Sequence, residues 1–359
     1  MDGPFRRIAL VRLTAFGDVV FALPTVAALR RAFPAARIVW IVEERLGALP
    51  RATAGVDHVL PVPLRAFREE GASPARRWRA LKDLGAAWRD IRAERFDLAV
   101  DLQGNLKSGF VVAATGAATR LGLPRGTTKE PNWWFTNRRP THDATVRHRA
   151  LDGLRLLEAI GVRVPLERPA IALPPSALAE ADRFLRTARR NPGPTVVIHP
   201  GTSRFMPHKR WPAERFGALS RALVERAAAN VFLTSGPDDG AVVQAVLAAA
   251  AGAATAAPPL PDPLTLAAFL SRADLVVGGD TGPVHLADAL GRSAVVLFGP
   301  TDPRLYHPLE RPERVLFEKA PCSPCRFREC PERICLDAID VERATALCLK
   351  TLDGTPIRV

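Results

Sequence analysis

Leu275-Val276-Val277-Gly278-Gly279-Asp280-Thr281-Gly282-Pro283-Val284-His285 is the stretch whose reading decides the fold. Three apolar residues, two of them β-branched, read as a buried strand. The glycines that follow permit a tight turn and close approach of another group to the backbone. Pro283 falls where the first turn of a helix tolerates proline. Strand, glycine turn, helix is one half of a parallel β–α unit. In such a unit the amides of Thr281 and Gly282 point at an anion above the strand end. Asp280 can accept from a sugar hydroxyl or orient a lysine. His285 reads either as a helix residue in the core or as a ligand contact.

Working outward, the same pattern recurs. Thr195-Val196-Val197-Ile198 is a strand that runs into His199-Pro200-Gly201-Thr202-Ser203-Arg204, and Lys209-Arg210-Trp211-Pro212 precedes a helix from Ala213 to Arg226. Thr202 and Ser203 offer hydroxyls and amides to phosphate oxygens, and Lys209 offers a full charge. The Gly-Lys-Ser/Thr ending of a P-loop is missing. Val231–Leu233 is followed by Ser235-Gly236-Pro237-Asp238-Asp239, where a carboxylate, Asp238 or its neighbour, suits ribose hydroxyls or caps the next helix. Ala294–Phe298 is a further strand. In the first half, Ile8–Val11, Ile38–Val42, Val56–Val62 and Leu98–Leu102 read as strands. Val19, Ala22, Leu23, Val26 and Phe33 give a helix from Asp18, with a kink predicted at Pro24. An Arg-rich helix spans about Pro74 to Arg95, and another helix is predicted from Val146 to Ile160. Asp18, beside Gly17 at the end of the first strand, is either a helix cap or a carboxylate general base.

These units make an α/β chain with parallel sheets and two Rossmann-like domains facing a cleft. The 359 residues agree, at roughly 100–200 per domain. The predicted boundaries are 1–165, 166–340 including a cysteine-rich loop at 321–336, and a helix and tail at 341–359 that can pack back on the first domain. Val164-Pro165-Leu166-Glu167-Arg168-Pro169 is the candidate linker.

Hydrophobic residues make up 47%, which excludes a disordered chain. No apolar run reaches the roughly 18 residues of a membrane span, and the N-terminal apolar run lacks a cleavage site, so a cytoplasmic location is expected. The net charge of +13 points to nucleic acid, an anionic membrane surface or a phosphate-bearing substrate, or reflects only Arg-rich codon usage. Lys129, Arg138 and Arg139 flank Trp133-Trp134-Phe135 in a long loop over 124–145, a pattern that suits anionic lipid head groups, single strands of nucleic acid, or plain solvated charge over a buried aromatic pair. Cys322, Cys325, Cys330 and Cys335 have spacing compatible with structural zinc or an iron–sulfur cluster, in a surface loop with no catalytic part. Cys348 stands apart.

In order along the chain, Leu13-Thr14-Ala15-Phe16-Gly17-Asp18-Val19, Asp101-Leu102-Gln103-Gly104-Asn105-Leu106-Lys107-Ser108, His199-Pro200-Gly201-Thr202, Lys209-Arg210-Trp211-Pro212, Asp280–His285 and Phe298-Gly299-Pro300-Thr301 resemble the ADP-heptose–lipopolysaccharide heptosyltransferases, glycosyltransferase family 9. The segment from Lys129 to Arg139 is more similar to heptosyltransferase I than II. The resemblance implies a GT-B fold and an inverting, metal-independent transfer of heptose from ADP-heptose to Kdo-lipid A, with no cofactor required. By it Asp18 is the base. Thr202, Ser203, Lys209, Thr281 and Gly282 hold the diphosphate, with Arg204 and Arg210 as competing contacts. Asp280 holds the heptose with His285 beside it, and Asp238 takes the ribose, where relatives carry Glu. Gln103, Asn105, Lys107, Lys129, Arg138 and Arg139 fall on the acceptor side. The implied partners are the nucleotide sugar and an anionic glycolipid at the inner face of the inner membrane, and not nucleic acid. Competing readings are a relative with another donor or acceptor, including heptosyltransferase II, a sugar-nucleotide epimerase, and a basic zinc-binding nucleic-acid-binding protein.

Overall fold

Ile8, Ala9, Leu10 and Val11 are all fully buried. The first apolar run shows no alternation because it is a central strand, β1 (Arg7–Val11), of a parallel sheet covered on both faces. The computed structural model describes residues 4–64, 73–128, 130–141, 147–203, 206–325, 330 and 332–354. The chain divides into two units, Met1–Ala172 and Leu173–Val359.

In the first unit β1 is followed by α1 (Phe16–Ala32), β2 (Arg37–Glu43), α2 (Ala48–Arg51), β3 (His58–Val62), α3 (Pro74–Ala93), β4 (Leu98–Asp101), α4 (Leu106–Thr115), β5 (Thr119–Leu121) and α5 (Asp152–Glu158). The strand order is β3-β2-β1-β4-β5, all parallel. The chain winds outward from β1 to β3, then returns through α3 to β4 on the other side. The winding therefore reverses between β1 and β4, where ligands of open α/β sheets bind.

α1 runs unbroken through Pro24. The helix predicted at 146–160 is shorter: a 3-10 turn at Arg149–Leu151 leads into α5. Gly153 lets α5 approach α1, since a Cβ there would lie 1.8 Å from Thr25 Oγ1. The division falls after residue 172 rather than 165 because residues 170–172 pair with 52–54. Ala54 N donates to Ala170 O at 2.8 Å and Ala172 N to Ala52 O at 2.7 Å.

The second unit contains α6 (Pro175–Ala188), β6 (Thr195–His199), α7 (Ala213–Ala227), β7 (Asn230–Leu233), α8 (Gly240–Ala250), β8 (Ala254–Ala256), α9 (Pro263–Leu270), β9 (Leu275–Gly279), α10 (Gly282–Ala289), β10 (Ser293–Phe298), α11 (Pro303–Tyr306), β11 (Val315–Phe317), α12 (Ile334–Asp337) and α13 (Val341–Leu352). Its parallel sheet has the order β11-β10-β9-β6-β7-β8, so its reversal lies between β6 and β9.

The C-terminal helix α13 packs within the second unit. Ala344 and Cys348 of α13 are buried in the second unit's core with Trp211, Phe216 and Leu219, and Arg226 pairs with Glu342 at 2.7 Å. Apolar residues spaced by four along α13 form a stripe that α7 covers.

Candidate active site at the two sheet reversals

Each unit brings its candidate residues to the carboxyl ends of the two strands that flank the reversal. In the second unit these are β6 and β9, paired with His199 opposite Gly278. At Gly278 the neighbours leave no room for a side chain, and at Gly279 a side chain would be tight. A Cβ on Gly278 would meet His199 O at 2.6 Å, and one on Gly279 would meet Lys209 O at 3.3 Å. The turn carrying Lys209 is thereby seated over the end of β9. Trp211 anchors it from below, buried and donating from Nε1 to Ile339 O at 3.1 Å.

Lys209 Nζ lies 2.9 Å from Asp280 Oδ2, and His285 Nε2 lies 2.9 Å from Asp280 Oδ1. Asp280 thus orients the lysine, one of the two roles open to it from sequence, and each of its oxygens keeps a lone pair for a sugar hydroxyl. Burial pushes the Asp280 carboxyl up, but the His285 hydrogen bond and the Lys209 charge outweigh it and hold it well below the usual carboxylate range. His285 is a buried helix residue that serves this pair. Thr281 is the N-cap of α10, and its hydroxyl donates to Gly279 O at 3.3 Å instead of capping the first turn. The Gly282 amide belongs to that first turn, whose donors have no intrahelical acceptor.

The loop after β6 is fastened by a buried carboxylate the sequence did not single out. Asp239 Oδ2 accepts from Gly236 N at 3.0 Å, and Asp239 Oδ1 from Arg210 Nη2 at 3.1 Å. Arg210 Nε donates to Thr202 Oγ1 at 3.0 Å, and Thr202 donates to Met206 O at 3.2 Å. Gly201 packs so tightly that a Cβ would lie 1.9 Å from Asp239 Oδ2. Arg210 is thus engaged within the loop, as is the Thr202 hydroxyl, while Ser203 is exposed. Arg204 lies outside the described residues. Asp238 is exposed, while its neighbour Asp239 is buried and is the fastener. His199 completes the floor, with Nδ1 3.0 Å from Thr234 Oγ1 and Nε2 4.0 Å from Asp239 Oδ2. Burial pushes its imidazole down to about 4, with Asp239 opposing and Arg210 assisting.

In the first unit the flanking ends are those of β1 and β4. Asp18 stands in the first turn of α1, Oδ2 accepting from Ala15 N at 3.1 Å, so it is a helix cap. Oδ1 also pairs with Arg12 Nη2 at 2.7 Å, and a third of the side chain stays exposed. Cap and accessible carboxylate are one residue here. Arg12, which also donates to Leu102 O, was not legible as a partner.

Gln103 bridges the two strand ends, its Oε1 accepting from Leu13 N and Thr14 N at 3.1 Å each. Beneath it lies Asp101, fully buried. Asp101 Oδ1 accepts from Gln103 N (2.9 Å) and Gly104 N (3.2 Å), and Oδ2 from Ser108 Oγ (2.9 Å) and Asn132 Nδ2 (2.7 Å). Burial raises its carboxyl against these four bonds.

The other acceptor-side residues separate by environment. Asn105 caps α4, accepting from Ser108 N at 3.0 Å. Lys107 and Arg138 are exposed. Arg139 turns inward and donates to Trp133 O, Thr136 O and Thr136 Oγ1, fixing the loop that carries the tryptophans. Lys129 lies outside the described residues. Of the four clustered cysteines, Cys322 is exposed and Cys335 buried, where burial raises its thiol. Among the described residues no group of three or more His, Cys, Asp or Glu is gathered to hold a metal ion. Cys335 packs into the second unit's core, and the Cys322 and Cys325 thiols add to the upward push on its own.

Residues 84–335 match the profile of glycosyltransferase family 9 (heptosyltransferase). The chain is 30% identical over 357 residues to lipopolysaccharide heptosyltransferase 1 of Pseudomonas aeruginosa, covering 97% of this chain and 94% of that protein. Two solved structures share the fold. A glycosyl transferase family 9 protein from Veillonella parvula has a TM-score of 0.80 at 22% identity and 99% coverage of both chains. The E. coli heptosyltransferase WaaC with ADP has a TM-score of 0.69 at 23% identity, covering 97% of this chain and 99% of that one.

Proposed function

The chain belongs to glycosyltransferase family 9, the heptosyltransferase family, and from that premise we propose that it transfers heptose from ADP-heptose to Kdo-lipid A in lipopolysaccharide inner-core synthesis, the heptosyltransferase I reaction. Its fold is of the GT-B type. The observation that carries the reading is the Lys209–Asp280–His285 chain set beside the first turn of α10 at the second sheet's reversal.

An acceptor hydroxyl attacks the anomeric carbon of the donor, and the bond from that carbon to the β-phosphate oxygen breaks with inversion. The hydroxyl proton passes to the Asp18 carboxylate, and ADP leaves with the electron pair. Negative charge on the diphosphate grows along this path. Lys209 and the amides of Thr281 and Gly282 stabilise it more in the transition state than in the ground state. Asp280 keeps the lysine in place at no cost in reorganisation. Thr202 and Ser203 offer their amides from the β6 loop, and Asp238 takes the ribose. Lys107 and Arg138 attract an acceptor rich in carboxylates and phosphates. The reaction then runs at the cytoplasmic face of the membrane that holds the acceptor.

The test is mass spectrometry of Kdo-lipid A incubated with ADP-heptose and either the wild-type chain or Asp18→Asn. One added heptose is expected with wild type, and a rate lower by roughly 100–10,000-fold with the variant. Equal turnover by both would remove Asp18 as the base. Transfer only to an acceptor that already carries heptose would move the chain to a later step.

A further inference from the structure

Among the described residues seven large apolar side chains are exposed. Five of them fall on one region of the first unit: Trp78, Leu81 and Trp88 on α3, Phe110 on α4, and Trp134 in the turn after the β5 strand. α3 packs beside α4, and α4 beside that turn, where the Phe110 ring meets Phe135 at 5.0 Å. Such side chains scattered singly need no explanation, but a contiguous set marks a contact surface.

α3 has two apolar faces. Ala80 and Ile91 are buried against the sheet side. Helical periodicity puts Trp78, Leu81, Lys82, Trp88 and Arg89 on a different face. There Trp78 is 63% and Leu81 51% exposed, and Lys82 and Arg89 are exposed beside them. Lys82 Nζ stands 6.0 Å from the Trp78 ring centroid.

Tryptophan interleaved with lysine and arginine is the composition of a helix that lies in a headgroup layer. The rings sit at the boundary of headgroup and acyl chain while the cations meet lipid phosphates. A second copy of the chain fits this face poorly, since Lys82 and Arg89 would meet their own like charges in a molecule of net charge +13. No described helix is long and apolar enough to cross a membrane, so any membrane contact through the described helices is from the surface.

We infer that the outer face of α3, with Phe110 and Trp134 beside it, docks the chain on a bilayer containing anionic lipid. The inference deepens the reading of a membrane-held acceptor, but its test needs neither donor nor turnover, so the two can fail separately.

The experiment is co-sedimentation of the full chain with vesicles of phosphatidylethanolamine and phosphatidylglycerol, compared with vesicles of phosphatidylcholine alone. Partitioning onto the anionic vesicles is expected to be at least roughly tenfold stronger and to weaken as salt rises. Trp78→Ser combined with Leu81→Ser and Trp88→Ser should lower it by a further tenfold or so without changing the circular dichroism spectrum. Lys82→Glu with Arg89→Glu keeps the rings, and should lose the preference for anionic lipid. The inference is overturned if the wild-type chain ignores both vesicle types, or if both variants bind as wild type does. It is equally overturned if the triple variant merely dissolves a dimer that never bound vesicles.

Discussion

At the scale of single residues, the site works through side chains that hold other side chains. Gln103 accepts the Leu13 and Thr14 amides and so fixes the turn from which Asp18 projects. Gln103→Ala leaves those amides without their acceptor, at a cost of about 1–3 kcal/mol. Turnover should fall while the KM for the nucleotide sugar stays unchanged, because the donor contacts proposed above belong to the other unit. A steady-state kcat and KM measurement decides this. His199 predicts a pH dependence. In the unfolded chain a histidine titrates near 6.5, whereas burial holds the folded group at about 4. Between those values the unfolded chain takes up a proton that the folded site refuses, so stability falls as pH falls through the window and is undiminished above it. Urea melts from neutral pH to about pH 4.5 should show a loss of roughly 1–3 kcal/mol, and His199→Gln should remove that component of the slope. The sequence made Asp18, Lys209 and Asp280 visible because each follows a strand and a glycine turn. It could not separate Asp238 from Asp239, which share one chemistry and differ in that the first is exposed and the second buried. Arg12 was hidden among 50 lysines and arginines.

At the scale of elements, close packing sets the loops proposed to hold the ligand. Gly201→Ala drives a methyl group into the Asp239 carboxylate. Overpacking of this kind costs about 1–3 kcal/mol, and here it displaces the β6 loop as well. The variant should bind ADP at least roughly tenfold more weakly by calorimetry. Gly153→Ala, which crowds Thr25 between α5 and α1, should lower stability by a similar amount and leave ADP affinity unchanged. Most strands were legible, since runs such as Val196–Ile198 and Val295–Phe298 are apolar throughout and buried on both faces. α6 was missed although Ala177, Ala181 and Leu185 recur every four residues. Its exposed face is mostly polar, and the proline-rich approach read as linker. The predicted 146–160 helix, whose Val146 lies outside the described residues, was overextended because residues 149–151 form a 3-10 turn, in which His148 Nδ1 accepts from Ala150 N at 3.1 Å.

At the scale of the whole molecule, the two units are built on parallel sheets of like design. Each reverses its winding beside its first strand, at β1 and β4 in one unit and at β6 and β9 in the other. The alternation of strands and helices made that duplication legible. The boundary was not, because the pairing of 170–172 with 52–54 joins residues far apart in sequence. Nor was the place of α13, whose stripe fits any apolar groove until the partner is seen. The central claim is that the leaving nucleotide is gripped by the second unit alone, through Lys209 and the α10 amides. Calorimetric titration of ADP into wild-type, Lys209→Ala and Asp18→Asn proteins tests it most directly. The account predicts that Lys209→Ala weakens ADP by roughly tenfold or more, the loss of one charge-assisted contact of about 1.5–3 kcal/mol, while Asp18→Asn binds as wild type. Undiminished affinity in Lys209→Ala, or a loss confined to Asp18→Asn, would contradict it.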